Sequence, residues 1–189
     1  MKPAWITEAE YLAMEAASDE RHEFVNGEII AMSGVSASHS TISMNTSVAL
    51  HNALKRGPCR PHGGELRVLI EETGLYAYPD VSVVCGPMDL TDTNPPSLRN
   101  PTVIVEVLSE STAGYDRGAK LEHYRRRASV MCVLLVDSRR RAVTRYTRNA
   151  DGGWSLYDFD AGAVRLEAIG VTLELDDLYE GAEGLQGWG

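Results

Sequence analysis

Two stretches near the middle of the chain are apolar at almost every position. They are Pro101–Leu108, PTVIVEVL, and Val130–Val136, VMCVLLV. Near-continuous runs rich in valine and isoleucine are typical of strands that are buried on both faces of a sheet. Between them, after Ser109–Gly114, a helix is predicted to run to about Arg127. Strand, helix and strand in this order predict a right-handed parallel crossover.

The N-terminal part of the chain carries the signals of a helix and a hairpin. Thr7-Glu8-Ala9-Glu10 matches a capping box, so a short helix is predicted to run to about Ala17. In HEFVNGEIIAM, two strand-like runs flank Asn26-Gly27. Asn-Gly favours the positive φ angles of a type I′ turn, which predicts a hairpin.

A longer helix and two strands are predicted to follow. Ser36–Arg56 has the length and spacing of the longest helix, and either Ser36 or Ser38 can cap its N-terminus. Arg60–Ile70 and Leu75–Cys85 each predict one strand, and the second is apolar enough to be central. The stretch from Gly86 to Asn100, rich in proline and aspartate, is predicted to be a loop.

The C-terminal part predicts further antiparallel strands, in the segments RAVTRYTR, WSLYDF and VTLEL. Because there is no repeat, low-complexity tract or linker, residues 1–189 are interpreted as one domain. The predicted fold class is α/β, of the mixed α+β kind. A central mixed β-sheet would be flanked by helices, with the hairpin at one end of the chain and the antiparallel strands at the other.

Composition narrows the setting in which the protein works. No apolar run approaches the roughly 20 residues that a membrane helix needs, and the N-terminal segment lacks the apolar stretch of a signal peptide. We therefore expect a cytoplasmic protein without membrane contact. The three cysteines, Cys59, Cys85 and Cys132, are odd in number and have no C-x-x-C spacing, so neither a disulfide framework nor a zinc site is expected.

The charge is unevenly distributed. A net charge of −9 argues against a protein that coats nucleic acid nonspecifically. Residues 115–148, however, hold ten of the eighteen basic side chains. Two arginine clusters in this segment are candidates for phosphate contacts, and a solubilising helix end with a guarded hairpin is the alternative. They are Arg125, Arg126 and Arg127, and Arg139, Arg140 and Arg141.

Two carboxylates are the first candidates for chemistry. Asp80 precedes the apolar run VSVV, and Glu106 interrupts the run VIVEVL. A carboxylate inside a buried strand is costly unless it is paired, neutralised or bound to a metal. On neighbouring strands the two would form a hard oxygen site suited to Mg²⁺ or Mn²⁺. The alternatives are a turn-terminating role for Asp80 and a structural ion pair of Glu106, for example with Arg67.

The helix after Glu106 supplies a cation. Asp116, Lys120 and Tyr124 are spaced four residues apart and so share one helical face. Because this helix follows the Glu106 strand directly, the ammonium group of Lys120 is predicted to reach the two carboxylates. A solvated lysine on a charged helix face is the alternative.

Taken together, these segments resemble a known family. YPDV, VEVLS and YDRGAKLEHYR, supported by ERHEFVNGEI and the histidine of ASHS, resemble the signature of the Uma2 family from about Tyr11 to Tyr179. The family is assigned to the PD-(D/E)XK superfamily of nucleases. The resemblance implies a restriction-endonuclease-like core, with the proline-aspartate on Pro79-Asp80 and the second acid on Glu106.

The resemblance also implies roles for individual residues. Asp80 and Glu106 would hold Mg²⁺ or Mn²⁺, Glu23 would add a third acid, and Lys120 would replace the usual lysine, whose position is taken by Leu108. Asp116 would position Lys120, and His39 matches a family position without a derivable role. The implied activity is metal-dependent hydrolysis of nucleic acid, most simply DNA, by a possible homodimer. A catalytically inactive binding or structural protein with the same fold is the alternative.

Overall fold

The computed structural model describes residues 5–32, 34, 36–185 and 188. Within this part the strands form three sheets. The largest has six strands in the order β11-β10-β9-β8-β6-β3, the second has five strands in the order β2-β1-β5-β4-β7, and the third is the pair β12-β13. The strands are β1 (His22–Val25), β2 (Glu28–Ala31), β3 (Cys59–Gly63), β4 (Arg67–Ile70), β5 (Leu75–Ala77), β6 (Val81–Cys85), β7 (Ser97–Leu98), β8 (Val103–Leu108), β9 (Cys132–Asp137), β10 (Val143–Arg148), β11 (Trp154–Phe159), β12 (Ala163–Leu166) and β13 (Val171–Glu174).

Helices pack against both faces of the large sheet and against the five-stranded sheet. They are α1 (Glu8–Ala17), α2 (Ala37–Leu54), α3 (Ala113–Tyr115), α4 (Leu121–Arg126) and α5 (Leu175–Tyr179). A π-helical turn, Asp116–Lys120, joins α3 to α4, and a 3-10 turn, Glu167–Ile169, precedes β13. No helix among the described residues is long and apolar enough to cross a membrane. The mixed α+β architecture predicted from the sequence is confirmed.

The large sheet has a hydrophobic layer on each face. One layer joins its valines to α2, α5 and the β12–β13 pair, and includes Ile42, Val105 and Leu178. The other joins it to the five-stranded sheet and α4, and includes Ile104 and Tyr124. The central strands β8 and β9 are buried at every position and pair in parallel, as the two apolar runs predicted.

Several local predictions are confirmed at their caps and turns. Thr7 and Glu10 form the reciprocal capping box of α1. Asn26 and Gly27 have φ angles of 50° and 83°, as a type I′ hairpin turn requires. Ser36, rather than Ser38, caps α2, since its hydroxyl accepts a hydrogen bond from the backbone N–H of His39.

Two predicted strands were wrong in their extent. Arg60–Ile70 is divided into β3 and β4, and Leu75–Cys85 into β5 and β6, with each half in a different sheet. The chain changes sheet after Gly63 and again at Pro79, which has no N–H to continue a ladder. The predicted loop after Gly86 also contains the short strand β7.

The expectation that the cysteines form no disulfide framework was wrong for two of the three. Cys59 and Cys85 are direct partners across the antiparallel β3–β6 pair, and they form a disulfide. Their 26-residue separation carries no disulfide signal in sequence. Only the register of the two strands brings the thiols together. Cys132 is a free, buried thiol, and burial raises its pKa to about 12.

Candidate active site

Asp80 and Glu106 face each other across two paired strands. Val81 pairs with Val105 in the antiparallel ladder, so the next residue on each side places Asp80 opposite Glu106. Side chains at such positions have Cβ atoms about 4.5–5.5 Å apart. The Oδ2 atom of Asp80 also accepts a hydrogen bond of 2.7 Å from the backbone N–H of Val107. The sheet itself therefore holds the two acids together.

Glu106 lies on the face of β8 that packs against α4 and the five-stranded sheet. It shares this face with Ile104 and Leu108, and it is buried with 4% exposure. Its Oε1 atom accepts a hydrogen bond of 2.6 Å from the hydroxyl of Tyr124 and lies 2.9 Å from Nζ of Lys120. Burial raises the pKa of Glu106 well above its ordinary value, and the Lys120 ammonium opposes that shift.

Lys120 is the only lysine among the described residues of this site, and its ammonium group lies among the acids. Its Nζ atom lies 2.7 Å from Oε1 of Glu23, 2.9 Å from Oε1 of Glu106 and 3.6 Å from Oδ1 of Asp116. Burial lowers the pKa of Lys120, but these carboxylates outweigh it and hold the pKa well above its ordinary value. The ammonium group is therefore charged. Of the two carboxylates that the prediction named, Asp80 and Glu106, the ammonium group contacts that of Glu106.

Glu23 and Asp116 hold the lysine from two further elements. Glu23 projects from β1, and its Oε1 atom also accepts a hydrogen bond of 3.2 Å from the backbone N–H of Tyr78. Asp116 is the first residue of the π-helical turn and precedes Lys120 by four residues. Burial raises the pKa of Asp116, and the nearby Lys120 opposes this shift. Glu23 therefore belongs to the site through its ion pair with Lys120.

His39 lies beside Asp80 at the start of α2. Its Nε2 atom is 3.4 Å from Oδ1 of Asp80, and its side chain is about one-tenth exposed. Its Nδ1 atom is buried and has no hydrogen-bond partner among the described residues. Burial lowers the pKa of His39, but the contact with Asp80 outweighs it, so the pKa is raised overall. Asp80 is thus contacted from two sides, by His39 and by the Val107 backbone.

A pocket of about 110 Å³ opens between these side chains. Its lining includes all four carboxylates, of Glu23, Asp80, Glu106 and Asp116, but a single ammonium group, that of Lys120. The acids therefore outnumber the cation fourfold. A pocket with this balance attracts a further cation.

Tyr115 is a pocket residue that the sequence did not indicate. Its hydroxyl is buried, lines the same pocket, and has no hydrogen-bond partner among the described residues. Burial raises the pKa of the Tyr115 phenol, so the hydroxyl keeps its proton and is a donor. Tyr115 precedes Lys120 by five residues, a spacing that shares a face in a π-helical turn but not in an α-helix. Sequence periodicity therefore gave no signal for it.

The donor atoms of the pocket fit a small divalent cation. Within the described residues, no three His, Cys, Asp or Glu side chains are arranged to hold a metal ion by themselves. Mg²⁺ is usually bound through one or two carboxylates, with water and substrate phosphate completing the shell. Asp80 and Glu106 supply that number of carboxylates, and Lys120 contacts the Oε1 atoms of both Glu106 and Glu23. The set is all oxygen, which suits Mg²⁺ or Mn²⁺.

The predicted arginine clusters lie in different places. Arg127 bonds to the carbonyl of Arg99, which precedes β8, so Arg125–Arg127 lie at the end of the sheet opposite to the pocket. Arg139 lies beside the pocket, in a depression that Ser109 also lines. Arg140 contacts Asp137, and Arg141 forms an ion pair with Asp176. The structure thus brings one of the six arginines next to the candidate site.

The alternative partner proposed for Glu106 is elsewhere. Arg67 is bonded to Ser97 and to the carbonyl of Pro95, and it does not contact Glu106. The structural ion pair between Glu106 and Arg67 is therefore wrong. The buried partner of Glu106 is Lys120.

A solved structure has the same overall fold. The crystal structure described as "a putative nuclease belonging to DUF820", from Anabaena variabilis, superposes with a TM-score of 0.68 and covers 89% of this chain and 96% of that chain. Its sequence identity is 18%, so this likeness concerns the fold alone. Both proteins therefore belong to one fold class, in which mixed β-sheets are flanked by helices.

Within that class, the chain belongs to the Uma2 family. The family model, described as "Putative restriction endonuclease", matches residues 8–177. Two proteins of Synechocystis sp. are similar over most of their length. "Uncharacterized protein slr1290" is 37% identical over 177 residues, covering 93% of this chain and 92% of its own. "Uncharacterized protein sll1609" is 35% identical over 151 residues, covering 80% and 85%.

Proposed function

We propose that the protein is an endonuclease that hydrolyses phosphodiester bonds of DNA with Mg²⁺ or Mn²⁺. The observation that carries this proposal is the convergence of Asp80, Glu106 and Lys120 on one pocket. Asp80 lies opposite Glu106 across the β6–β8 pair, and the Lys120 ammonium lies 2.9 Å from Glu106. A DNA substrate is also compatible with the cytoplasmic location expected from the sequence.

Asp80 and Glu106 would hold the divalent cation. When bound there, such a cation polarises a phosphate and lowers the pKa of a water molecule. The residues of the chain do the rest. His39 and the Val107 N–H fix the two oxygens of Asp80, so the carboxylate is oriented before any ligand enters. Tyr124 orients Glu106 in the same way.

Lys120 would supply the positive charge that the reacting phosphate requires. Three acids, Glu23, Glu106 and Asp116, keep it protonated and fix its position. A preorganised cation in a water-poor site stabilises the negative charge that develops during phosphoryl transfer. Tyr115 would donate its unpartnered hydroxyl to a phosphate oxygen of the substrate. Both groups are present before the substrate binds.

Leu108 favours an inactive relative of the fold, whereas Lys120 supports the active assignment. Leu108 occupies the position where the superfamily usually has lysine. It is buried in the hydrophobic layer between the large sheet, α4 and the five-stranded sheet. Lys120, from the following helix, places an ammonium group at Glu106 instead. The loss of one lysine is thus matched by another that reaches the same carboxylate.

A plasmid-nicking assay tests the proposal. The wild type is expected to nick or linearise supercoiled DNA with Mg²⁺ or Mn²⁺ and to lose this activity in EDTA. Asp80→Asn and Glu106→Gln should each lower the rate at least about 100-fold. Glu122→Gln is the matched control, because this carboxylate lies on α4 but is 61% exposed and pairs with Arg125.

The same assay separates the active from the inactive interpretation. Equal, metal-independent cleavage by the wild type and both pocket variants would indicate a contaminant and contradict the proposal. No cleavage of duplex, single-stranded or branched DNA with either metal would favour a binding or structural role. Sedimentation of the purified protein tests the homodimer, which would supply one active centre for each DNA strand.

A further inference from the structure

Two depressions open from the acid-lined pocket, one on each side. The first shares four lining residues with the pocket, namely Met32, His39, Tyr78 and Asp80. The second shares Ser109. The pocket and the two depressions therefore adjoin one another, and together they are called the groove. A polymer could enter at one end and leave at the other, with one of its bonds over the acids.

The lining of the first depression includes several small residues and one arginine, together with Met44 and Glu65. Ser40, Ser43 and Ser47 of α2 form one wall, and Gly63-Gly64 contributes to the other. Small side chains let the backbone of a ligand approach closely. Arg21 stands at this end, 40% exposed, with its guanidinium 2.7 Å from the carbonyl of Gly64 and 2.9 Å from Glu65.

The second depression lies where the parallel strands β8 and β9 end. Leu108 pairs with Asp137 in the ladder, and Ser109 and Ser138 follow them. In α/β sheets, ligands bind outside the carboxyl ends of parallel strands. Arg139 stands at this end, 44% exposed, and its guanidinium lies 4.0 Å from Oε1 of Glu110.

Each arginine forms an ion pair with an exposed glutamate, and Arg21 also donates a hydrogen bond to the carbonyl of Gly64. The side chains of Glu65 and Glu110 are both 87% exposed. Surface pairs of this kind contribute little to stability, so a phosphate can replace the glutamate. A phosphate also binds arginine through two parallel N–H bonds. The pocket between the two arginines has more acidic than basic side chains. A polyanion that crosses it therefore requires positive charges on both sides of the pocket.

We propose that this groove holds one nucleic-acid strand across the pocket. Arg21 and Arg139 each contact a phosphate flanking the one that lies over Asp80 and Glu106. The inference rests on the proposed function, because it takes the scissile phosphate to be the central one. The arginines contact the backbone and not the bases, so this part of the recognition is independent of sequence.

Salt dependence of DNA binding tests the groove. Binding of a fluorescein-labelled duplex is followed by anisotropy at several NaCl concentrations, with every protein carrying Glu106→Gln so that the DNA stays intact. Each phosphate contact contributes about 0.9 to the slope of log K against log salt. Arg21→Ala and Arg139→Ala are each expected to lower the slope by about 0.9. Arg126→Ala, which removes an exposed arginine near the opposite end of the sheet, is the matched control and should leave the slope unchanged.

The outcomes separate this inference from the proposed function. An equal fall in slope for Arg126→Ala, unchanged slopes for Arg21→Ala and Arg139→Ala, or no binding at any salt concentration would overturn the groove. If the wild type cleaves plasmid but the slopes do not change, the hydrolase stands and the groove is rejected. If the slopes change but the wild type never cleaves, the groove stands as a binding site and the hydrolase is rejected.

Discussion

Two of the cations that are buried among the described residues, Arg67 and Lys120, lie in contrasting surroundings. Arg67 is 1% exposed, and its partners are neutral oxygens of Ser97, Thr93, Pro95 and Tyr11. Its guanidinium also lies 5.6 Å and 5.1 Å from the ring centroids of Tyr11 and Tyr76. Its donors are thus used inside the protein.

Lys120 is nearly as buried, at 4% exposure, but three carboxylates surround it and a pocket adjoins it. Neutral hydrogen-bond acceptors and aromatic ring faces surround the positive charge of Arg67. This arrangement stabilises the fold. Around Lys120 the acids exceed what one ammonium needs. Such an excess has no purpose in packing, because unpaired buried carboxylates cost free energy. The comparison supports the proposal that Arg67 is a structural cation and that Lys120 serves a ligand.

The largest expected effect is on stability, at Arg67. Arg67→Met removes a buried cation and leaves the oxygens around it without donors, so the free energy of unfolding should fall by about 3–5 kcal/mol. Denaturant unfolding measures this. The folded fraction should still cleave DNA at the wild-type rate. Arg126→Met, an exposed arginine, should change the free energy of unfolding by less than about 0.5 kcal/mol.

Lys120 should differ from Arg67 in its effect on activity. Lys120→Met keeps the length of the side chain and removes its charge, so the cleavage rate should fall about 100-fold, or about 2.7 kcal/mol in activation free energy. Titration calorimetry with Mn²⁺ should detect binding at the wild-type stoichiometry, because the two acids assigned to the metal remain. Unchanged cleavage by a folded Lys120→Met protein would remove the distinction between the two cations.

A smaller effect is expected at the unpartnered hydroxyl of the pocket. Tyr115→Phe should lower kcat about 10-fold by removing one hydrogen bond to the substrate, about 1.4 kcal/mol. The melting temperature should not fall, because the hydroxyl has no partner among the described residues. Tyr124→Phe is the contrasting variant, since it removes the 2.6 Å hydrogen bond to Glu106 and should lower the melting temperature. A Tyr115→Phe protein that melts earlier but cleaves normally would assign this residue to the fold.

The smallest effect concerns the helix that carries His39. Ser36→Ala removes the N-cap of α2 and should cost about 1 kcal/mol of stability, measured by denaturant unfolding. Ser40→Ala, in the same helix but beyond the cap, is the control. A cap variant as stable as the control would show that tertiary packing alone holds the start of α2.

Much of the site was predictable because burial and charge conflict in the sequence. Glu106 interrupts an apolar strand, and Lys120 lies at helical spacing from Asp116, so both stood out without coordinates. The central strands were predictable for the same reason, as runs buried on both faces. The capping box and the Asn-Gly turn are local signals that need no tertiary information.

What the sequence did not predict depends on register and on irregular geometry. The sheet change at Pro79 divides one apolar stretch between two sheets, and this break is what places Asp80 at a strand end. The Cys59–Cys85 disulfide follows from a strand pairing that only the fold defines. Tyr115 enters the pocket through a π-helical turn, whose spacing a search for α-helical periodicity does not detect.

The most direct test of the account is anomalous diffraction from crystals grown with Mn²⁺. We predict a strong peak in the acid-lined pocket, about 2–2.5 Å from carboxylate oxygens of both Asp80 and Glu106. The same crystals of Glu106→Gln should lack it. A pocket without any peak at saturating Mn²⁺, or a metal bound only at other carboxylates, would contradict the claim that these two acids form a metal-dependent hydrolytic centre.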